Sequence, residues 1–108
     1  GAPGQSRRER GFVVDEARAI IRFKNQPLDL TRYEYLILKT LLAQPERVFS
    51  RAQLMDRVWS DPDASFERSV DTHIKALRAK LRDIDANRDP IRTHRGLGYS
   101  IRVRDPAP

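Results

Sequence analysis

A stripe of five apolar residues in the last third of the chain constrains the fold more than any other feature. Val70, Ile74, Leu77, Leu81 and Ile84 step by four, three, four and three, which places all five on one face of an α-helix. A helix over about residues 66–85 must therefore lay that face on a core and turn the other outward. Two shorter helices precede it. Thr31-Arg32-Tyr33-Glu34 is a capping box, with Thr31 as N-cap and Glu34 reaching back to its amide. Tyr35, Leu38, Leu41 and Leu42 follow at helical spacing, and Pro45 stops that helix after Gln44. Ser50-Arg51-Ala52-Gln53 is a second capping box, opening a short helix with Leu54, Met55 and Val58 inward. Pro62 and its polar neighbours, Ser60 through Ser65, form the next loop.

Strand signals flank the helices. Phe12-Val13-Val14, Ala19 to Phe23 and Leu28-Asp29-Leu30 are separated by polar or turn residues, including Lys24 to Pro27, and predict a small antiparallel sheet. After the long helix, Ile91 to His94 and Tyr99 to Val103 enclose Arg95-Gly96-Leu97-Gly98, a β-hairpin with a glycine-containing turn. Three helices with a short second one, followed by a hairpin, describe an α+β domain of winged helix-turn-helix type. Residues 1–10 read as a tag remnant and linker, 11–104 as the domain, and 105–108 as a disordered tail.

Composition narrows the function classes. The 108 residues carry 21 Lys and Arg against 15 Asp and Glu and no cysteine, which excludes a disulfide scaffold, a thiolate zinc site and a cysteine nucleophile. No apolar run approaches the roughly 20 residues that span a bilayer, so the expected setting is cytoplasmic, with no membrane partner. The charge is uneven: residues 66 to 104 hold ten Lys or Arg against five Asp or Glu. A basic C-terminal third fits a polyanion partner, and it fits a merely soluble surface as well. His73 and His94 lack any partner at metal-ligand spacing, and Gly96-Leu97-Gly98 precedes a strand rather than a helix, so neither a metal site, a cofactor nor an enzyme is expected.

The face of the long helix opposite its apolar stripe carries the sharper signal. Thr72, Ala76 and Ala79 lie about 200° from Val70, Ile74 and Leu77, flanked by Lys75, Arg78 and Arg82. Small residues bordered by basic ones let a helix sit in a duplex major groove, where Lys75 could donate to guanine and Thr72 could meet a thymine methyl. Arg68, near the helix start, suits phosphate. Arg95, at a turn with two glycines, suits the narrow minor groove, with Thr93, His94 and Tyr99 beside it. Trp59 fits either core packing or an indole bond to phosphate, and His73 either helix packing or a phosphate contact. An amphipathic surface helix and a plain hairpin would produce the same residues singly, and winged helices also serve as protein-docking modules.

Taken together, Leu30 to Leu42, Gln44 to Arg51, Val58-Trp59, Arg68 to Ile74, Leu77-Arg78 and Thr93 to Tyr99 resemble the effector domain of OmpR/PhoB-type response regulators, over nearly the whole domain. Within that family, Thr31 to Tyr35 and Thr93-His94-Arg95-Gly96 look most like the CreB-type members. The resemblance implies a four-stranded N-terminal antiparallel sheet, three helices and a C-terminal hairpin wing. It implies sequence-specific binding of double-stranded DNA, controlling transcription downstream of a sensor kinase in a two-component phosphorelay. It places Asp71, Thr72, Lys75 and Ala76 at base-facing positions and Arg95 in the minor groove. Arg51, Trp59, Arg68, His73, Arg78, Thr93 and Tyr99 fall at DNA-backbone positions. Ala76 stands where several relatives have arginine, so a guanine contact is missing there. The segment from Ser60 to Glu67 (loop 60–67) resembles one that contacts RNA polymerase. An upstream receiver domain, a monomeric isolated domain and direct-repeat half-sites are further expectations of the resemblance.

Overall fold

The computed structural model describes residues 6–9, 11–58 and 67–103, with side chains over 11–58 and 70–103. Strands β1 (Ser6–Glu9), β2 (Phe12–Asp15), β3 (Ile20–Phe23) and β4 (Gln26–Pro27) form an antiparallel sheet in that order. Helices α1 (Arg32–Ala43), α2 (Arg51–Val58) and α3 (Glu67–Ile84) follow, and β5 (Ile91–His94) and β6 (Gly98–Ile101) make the hairpin.

The sheet forms because alternate residues share a face. Phe12 pairs with Phe23 and Val14 with Ile21; all four are buried, and the two Phe rings stack with centroids 4.6 Å apart. Two details depart from the sequence alone. Ser6–Glu9, within the stretch that reads as linker, pairs along β2 with Arg7 opposite Val14. The fourth strand is Gln26–Pro27 rather than Leu28 to Leu30. Lys24 and Asn25 both take positive φ, 51° and 68°, so a two-residue hairpin turn closes early and pairs Phe23 directly with Gln26. Leu28 and Leu30 instead pack against the core as half-buried residues.

Both capping boxes form. The Glu34 amide donates to Thr31 Oγ1 and the Thr31 amide to Glu34 Oε1, at 3.3 and 3.0 Å; Ser50 and Gln53 repeat the exchange at 3.0 and 2.9 Å. Ile37, Leu38, Leu41 and Leu42 of α1 and Leu54 and Val58 of α2 meet Val70, Ile74, Leu77 and Leu81 of α3 in one core, with Ile84 at its margin. Glu34 is only 4% exposed yet charged. Its carboxylate takes a hydrogen bond from Lys80 of α3, a cross-link between helices that a capping residue need not make. Burial works against the charged form, but the Lys80 bond, the Thr31 amide and the charges of Lys80 and His73 win and lower its pKa.

The hairpin is tied to the helical core through one more strand pairing. Phe49, in the α1–α2 connection, exchanges both backbone hydrogen bonds with Tyr99, at 2.8 and 2.9 Å. A Cβ at Gly98 would lie 1.9 Å from the Phe49 carbonyl oxygen. That glycine, at φ +139°, is what lets the two backbones approach.

Candidate nucleic-acid interface

Burying Val70, Ile74, Leu77 and Leu81 fixes the rotation of α3. Thr72, Lys75, Ala79 and Arg82 are then exposed and Ala76 half-exposed, as the spacing predicts. The next exposed group is the hairpin tip, where Arg95, Gly96 and Leu97 stand clear of the body, with Leu97 67% exposed. The tip is closed by the Leu97 amide donating to the His94 carbonyl at 2.8 Å. A Cβ at Gly96 would meet nothing within 4 Å, so the space at the turn itself is open. Among the described residues neither Lys75 nor Arg95 forms an ion pair.

Between helix and tip lies a set of polar contacts that holds the hairpin to the helices. Asp71 Oδ1 accepts from Arg51 Nε of α2 at 2.7 Å and from the hydroxyl of Tyr99 of β6. Arg78 of α3 donates through Nη2 to the Ile91 carbonyl at 3.1 Å and to Thr93 Oγ1, both on β5. Its Nε lies 3.8 Å from Asp89 Oδ1, buried and without a hydrogen bond among the described residues. Arg78, Asp89, Ile91, Arg92 and Thr93 line an open polar hollow beside the wing. The guanidinium carbons of Arg51 and Arg78 lie 5.5 and 5.9 Å from the Tyr99 ring centroid.

Ionisation follows from this arrangement. Partial burial of Asp71 pushes its pKa up, but the Tyr99 and Arg51 hydrogen bonds and the Arg51 charge outweigh it and hold the carboxyl below its ordinary value. Burial and the bond to Asp71 raise the Tyr99 hydroxyl, so it remains a donor at neutral pH. The bond to Asp71 and its charge likewise raise Arg51.

The expected site residues thus separate by position. Thr72, Lys75, Ala76 and Arg95 stand on the outward surface. Arg51, Arg78 and Thr93 are half-buried or exposed at its border, each already engaged by a neighbour. His73 is half-buried and packs against the Tyr33 ring, with centroids 5.6 Å apart. Asp71 and Tyr99 face each other in a way the sequence does not announce. The Tyr99 residue is 5% exposed and its hydroxyl is engaged by Asp71 rather than offered to solvent, while the Asp71 carboxylate turns to Arg51 and Tyr99. The reason is a contact 28 positions apart in sequence, invisible to local spacing. Trp59, the side chain of Arg68, nearly all of loop 60–67 and the tail from 104 lie outside the described residues. His94 contributes inwardly, with Nε2 2.7 Å from the hydroxyl of buried Ser100.

Comparisons with known proteins agree with this surface. Residues 25–101 match the family described as "Transcriptional regulatory protein, C terminal". The chain is 58% identical over 91 residues to the transcriptional regulatory protein CreB of Escherichia coli K12, covering 84% of this chain and 40% of that protein. The DNA-binding domain of the response regulator AdeR, solved in complex with an intercistronic region, superposes with a TM-score of 0.81 at 28% identity, covering 91% of this chain and all of that one. The DNA-binding domain of CpxR from E. coli superposes at 0.76, with 29% identity, covering 95% of this chain and all of that one. The chain spans about 40% of the length of the curated CreB relative. It belongs to the C-terminal domains of transcriptional regulatory proteins, as a CreB-like winged-helix effector domain of the OmpR/PhoB type.

Proposed function

We propose that this domain binds double-stranded DNA sequence-specifically, with α3 in the major groove and Arg95 in the adjacent minor groove, to control transcription as the effector part of a two-component response regulator. The observation that carries this reading is the outward face of α3, small along Thr72 and Ala76 and basic at Lys75 and Arg82, alongside a bare Arg95 tip. A major groove about 12 Å wide accepts such a helix, and an arginine fits the electronegative minor groove. Arg51, Arg78 and Thr93 border that face, where phosphates would run. His73 contributes to that border from its packed position, and Trp59 and Arg68 belong to the same reading by sequence position. The AdeR DNA-binding domain, solved in complex with an intercistronic region, supports the DNA-binding part of this reading.

The remainder of the reading concerns a longer regulator: an upstream receiver domain, direct-repeat half-sites occupied by two copies, a monomeric isolated domain, RNA polymerase contact through loop 60–67, and action in the cytoplasm without catalysis. Among the described residues no helix is long and apolar enough to cross a membrane. The test is selection of random duplex DNA against the domain, followed by titration of the enriched site at several salt concentrations. An enriched half-site whose affinity falls steeply and linearly in log–log salt is the expected result. Enrichment of nothing, alone or as a tethered dimer, would overturn the reading in favour of a protein-docking module.

A further inference from the structure

We infer that Asp71 is a positioning residue of the wing, not a base reader: it holds the Tyr99 hydroxyl and the Arg51 guanidinium on one oxygen and so fixes where Arg95 points relative to α3. The inference rests on the DNA-binding reading above and assigns a different task to one of its residues. Asp71 lies on α3, Arg51 opens α2 and Tyr99 sits on β6, so one carboxylate joins both helices of the helix-turn-helix to the wing. The other wing strand has its own tie, from Arg78 to Ile91 and Thr93. Both strands are therefore held by α3 within a few residues of Arg95.

Both donors meet Oδ1, so to accept from a base Asp71 would have to turn its other oxygen to the groove and present a negative charge among phosphates. Where it stands, it neutralises Arg51 and leaves the Tyr99 hydroxyl paired in a site where an unpaired hydroxyl would be costly. Direct bonding would make Asp71 sensitive to one base pair. Positioning makes it sensitive to the base pairs under the wing, which it does not touch.

The experiment compares base preferences of wild type, Asp71→Ala, Tyr99→Phe and the double variant, each by selection of random duplex DNA and by titration of the wild-type site. Asp71→Asn, which keeps the volume, serves should the alanine variant fold poorly. The expected result is that both single variants lose about tenfold in discrimination at the flanking pairs covered by the wing, that preferences under α3 persist, and that the double variant is no worse than either. Three results would overturn the proposal: a change confined to one base pair under α3, additive losses, or an equal loss on every sequence with a lowered melting temperature. A wild-type domain that enriched no duplex would remove the DNA-binding reading itself, and this assignment with it.

Discussion

The root and the tip of the wing, marked by Gly98 and Gly96, are two positions apart and obey opposite constraints. At the root, Gly98 allows the hairpin backbone to lie against Phe49, Tyr99 is 5% exposed, and Arg51, Asp71 and Arg78 lock the strands to the helices. At the tip, Gly96 has open space around it, and Arg95 and Leu97 are exposed. The root is built like a core, and its polar groups are paired because they are partly out of water. The tip holds a turn and a cation and leaves them to a partner. A wing that must enter a groove at a fixed angle needs both: a rigid base to set direction and a tip without internal obligations.

Substitutions that add the same methyl group at either end should break the symmetry between the two glycines. Gly98→Ala is expected to cost more than about 4 kcal/mol, or to abolish folding, because the new carbon would overlap the Phe49 backbone and the φ is unfavourable for any side chain. Gly96→Ala should cost only about 1 kcal/mol, from its φ of +75° alone. Urea unfolding of the two variants measures the contrast, and equal costs would show that the root is not held as described.

The root should also respond to acid where the tip does not. Asp71 has a folded pKa below its unfolded value of about 4. Its stabilising contribution is therefore complete above about pH 4 and fades as pH falls through the lowered folded value. Asp71→Asn should lose well under about 1 kcal/mol at neutral pH, since the Asp71 side chain is 42% exposed, and should flatten the stability profile below about pH 4. An unchanged acid limb would contradict the pairing. Arg95→Ala comes last in folding terms, with a change within about 0.5 kcal/mol. It should nonetheless weaken DNA binding, lower the salt slope by about one and relax preference at A·T-rich flanks. Thermal melts alongside binding titrations check both halves.

What the sequence made legible, and what it hid, divides along the same line. The apolar stripe of α3, both capping boxes and the wing turn depend on residues three or four apart, so local periodicity exposes them, and with them the outward placement of Thr72, Lys75 and Arg95. The root depends on pairs far apart in the chain. Gly98 reads as a turn residue until Phe49 is brought beside it, and Asp71 and Tyr99 read as outward groups until they meet. Glu34 reads as a cap, which it is, while its bond to Lys80, 46 positions away, has no local signature. Ser6–Glu9 has no apolar alternation to announce a strand; it pairs through its backbone along β2. The N-terminal end of the sheet was hidden for a different reason than the wing root: edge pairing needs backbone, not pattern.

The most direct measurement is an amide chemical-shift titration of the labelled domain with its enriched duplex. Shifts are expected to concentrate at Thr72, Lys75 and Ala76 on α3 and at Arg95 and Gly96 at the wing tip, while Val13 and Arg22 of the N-terminal sheet stay unmoved. Shifts centred on that sheet, with α3 and the tip silent, would contradict that expectation.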